Sequence, residues 1–153
     1  VATVYPTTAG NWSTRTWNDD STGAAYGSGT PQAGDTVLLN GVAITLDQDI
    51  TVTLVRNVAG TTAVAGGTLD VSGTRIINAG LWAGTVDMVL LSTAATALTV
   101  NGNVTGGSSA NADCIYSASA SKTLVVNGNV IGGSASTANG ILWRGTGASV
   151  TIT

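Results

Sequence analysis

Eight aspartates supply every side-chain carboxylate of this 153-residue chain, which contains no glutamate and no histidine. Polysaccharide cleavage is the chemistry that such a set could support, and it requires two carboxylates flanking one bond, an acid and a base or nucleophile. Asp47 and Asp49 stand two residues apart and could share a strand face. Beside a corner, however, they read as solvated turn residues, and Asp19-Asp20, following Trp17-Asn18, reads the same way. Asp35, in Gly34-Asp35-Thr36, is expected to cap a turn with its own carboxylate. Asp70, Asp87 and Asp113 are isolated in the sequence and are expected at exposed positions. Calcium could use Asp47, Asp49 and backbone carbonyls, but the aspartate-rich nonapeptide of calcium-binding β-rolls is absent. One cysteine without histidine cannot furnish a usual zinc site or a Cys–His or Ser–His pair. Cys114 is therefore expected to be a small buried thiol, and no catalytic residue, metal or cofactor is assigned.

Gly106-Gly107 and Gly132-Gly133 lack the Lys-Ser/Thr that completes a phosphate loop. Aromatic side chains are the remaining candidates for recognition, since their faces stack on sugars or anchor protein interfaces. Trp12, Trp17, Tyr26 and Trp143 are the interface candidates. Trp12 and Trp17 also suit the core of a terminal cap. Trp143 occupies the place held by Ser117 one repeat earlier, which leaves an interior role and a contact with a neighbouring subunit both open.

The repeat that makes this correspondence visible starts at Leu98 and again at Leu124. Leu98-Thr-Val-Asn-Gly-Asn-Val-Thr-Gly-Gly-Ser108 recurs as Leu124-Val-Val-Asn-Gly-Asn-Val-Ile-Gly-Gly-Ser134, and residues 98–123 match 124–149 at 11 positions without a gap. A third copy begins at Val150-Thr-Ile-Thr153. A unit this short cannot bury its own apolar face and must stack on its neighbours. Period-two alternation identifies the stacked segments as strands: Val42, Ile44 and Leu46, then Ile50, Val52 and Leu54, Leu69 and Val71, Leu98 and Val100, Leu124 and Val126. Gly and Asn between strands are expected to take positive φ at sharp corners, and equivalent asparagines could form an amide ladder. These features specify an all-β, single-stranded parallel β-helix, or β-solenoid, of about 26-residue coils. Residues 35–153 form about four to five coils, with support weakest over 55–97, and the solenoid could continue past the last residue. Residues 1–34 hold two of the four tryptophans, Tyr5, Tyr26 and both prolines, and form an N-terminal cap or docking segment.

Composition agrees with this fold and removes several functions. The chain is 43% hydrophobic and only 8% charged, with a formal net charge of −3. Five dispersed bases offer no patch for nucleic acid or anionic lipid. No apolar run approaches the roughly 20 residues of a membrane span, so no membrane insertion is expected. The opening Val-Ala-Thr-Val-Tyr-Pro lacks the basic start and apolar centre of a secretory signal.

Gly10-Asn-Trp-Ser-Thr-Arg-Thr-Trp17, a Gly/Ser-rich spacer and Thr30-Pro-Gln-Ala-Gly-Asp-Thr-Val-Leu-Leu-Asn-Gly-Val-Ala-Ile-Thr-Leu-Asp47 resemble the opening of β-helical phage virion proteins and bacterial surface adhesins. The resemblance covers roughly residues 9–54. It implies a virion structural component such as a tail fibre, head fibre or capsid-decorating protein, commonly a homotrimer, docked to other virion proteins through residues 1–34. The alternative is an extracellular filament subunit or cell-surface adhesin module, with a surface glycan as a partner. Tail spikes of related architecture often cleave polysaccharides, but none of their catalytic motifs carries over to this chain.

Overall fold

The computed structural model describes residues 1–57 and 66–153, so residues 58–65, which the solenoid reading also takes in, lie outside the described residues. The chain enters through β1 (Thr3–Pro6), β2 (Gly10–Asn11), a 3-10 turn at Trp12–Thr14 and β3 (Trp17–Asp19). Coils then come as β4 (Thr36–Leu38) with β5 (Ala43–Leu46), β6 (Ile50–Arg56) with β7 (Thr68–Val71), and β8 (Gly73–Trp82) with β9 (Val89–Leu90). The repeats supply β10 (Ala95–Asn101), β11 (Val104–Thr105) and β12 (Ile115–Ser117), then β13 (Thr123–Asn127), β14 (Val130–Ile131) and β15 (Ile141–Trp143), and finally β16 (Ser149–Ile152). The fold is a parallel β-solenoid. Its larger sheet runs β16-β13-β10-β8-β6-β4-β1-β3, and its smaller one β15-β12-β9-β7-β5-β2.

Successive coils meet like on like. Ile50 pairs with Ile77, Ile77 with Val100, Val100 with Val126 and Val126 with Ile152. The next outward position steps through Thr51, Asn78, Asn101, Asn127 and Thr153, so the four turns advance by 27, 23, 26 and 26 residues. On the other wall Ile44, Leu69, Val89 and Ile115 form a column with no exposed surface. Burying aliphatic side chains in such columns drives stacking at about 25 cal/mol per Å² removed from water. The two unequal turns, Thr51 to Asn78 and Asn78 to Asn101, explain why 55–97 hides the period, and register shifts inside β6 and β10 add to the irregularity.

Alternation fails at one expected position. A register shift between Thr51 and Leu54 places Val55 inside with no exposed surface and leaves Leu54 half-buried. Such a bulge adds a residue to one strand and inverts the faces of the remainder of that strand.

The N-terminal stretch is continuous with the stack. β1 pairs in parallel with β4, and β2 in parallel with β5, so both sheets extend into residues 1–34. Among the described strands β3 alone runs antiparallel, against β1, where it covers the outer edge of the larger sheet, and Asn18 of β3 makes a further antiparallel bridge to Ala25.

Candidate functional site

Trp12 and Trp17 are 0% and 1% exposed, with ring centroids 4.6 Å apart and planes tilted by 55°. As interface candidates they present no surface; they are core of the first layer. Tyr26 is half-buried against that core, and its hydroxyl donates to Asp35 Oδ2 at 2.5 Å. Asp35 does more than cap its own turn. It is 1% exposed and accepts the Gln32 amide at 2.9 Å and the distant Ala2 amide at 2.7 Å. Burial alone would push its carboxyl up, but the Tyr26 hydroxyl and the two amides outweigh burial and hold it below the usual aspartate value. The same bond raises Tyr26. Trp143 sits directly above Ser117, is half-buried and packs on the core. Ser117 is fully buried, and its small side chain leaves room for the indole in the next coil.

Asp47, Asp49, Asp87 and Asp113 form inter-coil struts. Asp47 accepts the Ser13 amide at 3.0 Å and the Ser13 hydroxyl, while Asp49 accepts the Ile76 amide at 2.8 Å, so the two reach into different coils. Asp19 accepts the amide of Ser21 at 2.8 Å and its hydroxyl, a local turn that lowers its carboxyl. Asp113 departs from the expectation of exposure: it is 1% exposed. Its amide donates to Asp87 Oδ1 at 2.9 Å, and its Oδ1 accepts the Asn139 amide at 2.7 Å and Asn139 Nδ2 at 2.8 Å. Asp87, Asp113 and Asn139 are thus one corner position in three successive coils, and stacking encloses the middle member. Desolvation raises the carboxyls of Asp87 and Asp70. Among the described residues no three His, Cys or acidic side chains converge as metal ligands. Cys114 is fully buried, and burial pushes its thiol up to about 12.

At the Asn-Gly-Asn and Gly-Gly corners positive φ occurs at Gly128, at 158°, and the other corner residues work by a different mechanism. Positive φ among non-glycines occurs at Asn40, Asn111 and Ser121, not at the repeated asparagines. Those asparagines ladder instead: Asn127 Nδ2 donates to Asn101 Oδ1 at 2.7 Å, and Asn101 Nδ2 to Asn78 Oδ1 at 2.7 Å. The expected pair is extended to Thr51 below and Thr153 above. Gly107 and Gly133 are required by contact, since a Cβ on Gly107 would collide with the Gly84 carbonyl oxygen and one on Gly133 with that of Gly107.

Two outer surfaces differ from this scaffold pattern. On the larger sheet three parallel columns carry Thr74, Ala97, Thr123 and Ser149, then Ile76, Thr99, Val125 and Thr151, then Asn78, Asn101, Asn127 and, beyond the last strand, Thr153. No ionisable side chain interrupts them. Beside them Arg56 lies over Trp82, 3.8 Å from the ring centroid. On the smaller sheet the outward positions Leu90, Tyr116 and Leu142 align from coil to coil. A cavity of about 500 Å³ opens over Leu90 and Tyr116, walled by Val86 and Asp87 on one side and Thr93 and Ser119 on the other. None of the interface candidates Trp12, Trp17, Tyr26 and Trp143 lies here, and of the carboxylates weighed from the sequence only Asp87 lines it. The signal that could have found the place is the recurrence of Leu90, Tyr116 and Leu142 at the repeat spacing, apolar where an outer face would be polar.

Comparison with protein-family models, curated proteins and solved structures finds no match to this chain. The likeness of residues 9–54 to virion and adhesin openings accordingly rests on those residues alone.

Proposed function

We propose that this chain is a non-enzymatic structural component of a phage virion, a tail fibre, head fibre or capsid-decorating protein that serves as a rigid scaffold for attachment or stabilisation. The observation that carries this reading is the charge-free wall of Thr, Ile, Val, Ala, Ser and Asn columns from β8 to β16 on the larger sheet, bordered one coil below by Asp49. A wall without charges can be desolvated against identical copies with no ion left to pair. Homotrimeric packing around that wall, with residues 1–34 toward other virion proteins, follows from the same feature and from the virion-like opening sequence. The arrangement of carboxylates supports the non-enzymatic part: Asp87 and Asp113 are steps of one ladder, and Asp47 and Asp49 are each tied to another coil.

An electron-microscopic reconstruction of the native assembly tests the proposal through stoichiometry and the contacts of residues 1–34. Three chains packed along the Thr74–Thr153 wall, with residues 1–34 seated on a portal, tail or capsid protein, are expected. Identical chains stacked end to end, with no other protein at residues 1–34, would overturn the virion reading in favour of an extracellular filament or adhesin module.

A further inference from the structure

The cavity over Leu90 and Tyr116 is not used by the scaffold, and its lining is specific enough to assign a ligand chemistry. At about 500 Å³ it has the capacity of small-ligand clefts, roughly 300–1,000 Å³. Its floor is apolar and aromatic at outward positions, where a solenoid needs no apolar side chain for its own core. Its lining is mainly apolar, and the polar residues at its edge are Thr93 and Ser119 at one end and Asp87 at the other. The bond from the Asp113 amide to Asp87 Oδ1 holds that carboxyl in a fixed orientation.

A ligand that satisfies both parts must present an apolar face to Tyr116 and hydrogen-bonding groups around its edge. A pyranose ring does so, with C–H groups on its faces and hydroxyls on its perimeter, and aromatic side chains with one apolar and one polar end are suited to it. Asp87 accepts hydroxyl donors and repels uronates, sialic acids and sulfated sugars. We propose that this cavity binds a neutral saccharide, with the ring on Tyr116 and the hydroxyls bonded to Asp87, Thr93 and Ser119. It extends the scaffold reading with a lateral recognition site and does not depend on where the rod is assembled.

The test uses the full chain against an array of neutral hexose and N-acetylhexosamine oligosaccharides printed beside sialylated and sulfated ones. The strongest neutral binder is then titrated calorimetrically. Tyr116→Ala is expected to weaken binding by about tenfold, the loss of one aromatic contact, while Tyr116→Phe stays within about threefold because stacking survives. Asp87→Asn, which retains an oxygen for the Asp113 amide, should weaken binding by about fivefold on losing a charge-assisted acceptor. It also decides the matter if Tyr116→Ala melts early. Trp82→Ala, outside the cavity, should bind as the parent does. Failure of every neutral oligosaccharide to bind, preference for anionic ones, or binding indifferent to both Tyr116→Ala and Asp87→Asn would overturn the assignment. Each of those results leaves the scaffold proposal standing, since only the reconstruction tests that.

Discussion

The first layers and the repeats build the same two sheets by different means. Between β1 and β4 the paired residues Val4 and Val37 are 33 positions apart, and between β4 and β6 Val37 and Val55 are 18 apart, so no contact there recurs. This end is held by single anchors: the Trp12–Trp17 pair, Asp35 gathering Ala2, Tyr26 and Gln32, and Asp47 on Ser13. From β10 onward each coil repeats the last, with the same asparagine step, the same glycine approach and the same corner bond at a spacing of 26. Irregular loops force unique contacts, whereas a constant coil length lets one solution serve every level. The acids divide in the same way. Asp19, Asp35 and Asp47 are held below the usual aspartate value, while Asp70 and Asp87 in the middle coils are raised.

If the N-terminal layers depend on single anchors, Trp12→Ala should be the most damaging change, costing about 4 kcal/mol as a large core deletion. Guanidinium unfolding would measure it, and hydrogen exchange should show β4 and β5 amides losing protection before those of β13. Equal loss at both ends would erase the distinction. Gly107→Ala attacks the repeats, and because its Cβ meets backbone oxygen the cost should reach about 3 kcal/mol. Gly27→Ala, with nothing within 4 Å of the new methyl, should shift stability by under about 0.5 kcal/mol in the same guanidinium unfolding.

Asp35→Ala leaves the Ala2 and Gln32 amides and the Tyr26 hydroxyl without their acceptor, for about 2 kcal/mol. Its lowered carboxyl contributes stability that is present above about 3.9, the unfolded value, and lost as pH falls through the lower folded value. Asp70 and Asp87 have the opposite sign. Their raised carboxyls cost stability as pH rises through the folded values, and acid relieves that cost. Exchange measured from pH 6 to pH 3 should therefore loosen the Asp35 region while β7 and β9 hold; uniform loosening would refute the division. Among the changes that remove a contact, the smallest effect belongs to Asn127→Ala, which breaks two exposed ladder bonds and should cost about 1 kcal/mol or less by denaturant midpoint.

Much of the solenoid is legible in the residues because its signals are local and periodic. Leu98/Leu124 and Val100/Val126 announce both the strand period and the stacking register, and the Asn101/Asn127 ladder follows from identical residues at identical corners. The burial of Asp113 is not legible, because isolation in sequence says nothing about the coils that enclose it. Leu54 departs from its expected inward place because a bulge inverts faces without changing residue types. The lateral cavity leaves no local signature because its floor, Leu90 and Tyr116, and its walls, Asp87 and Ser119, come from two coils.

The amino-acid sequence by itself determined the all-β class, the coil length of the repeats and the inward columns, since alternation and period are properties of neighbours along the chain. Only the tertiary structure decided that residues 1–34 continue both sheets, that Asp35 ties three distant groups together, and that a cavity opens on the smaller sheet. The first two outcomes depend on which residues meet across coils of unequal length, where unequal loops leave no periodic mark; the cavity, between coils in regular register, depends on how residues of two coils stand around one apolar column.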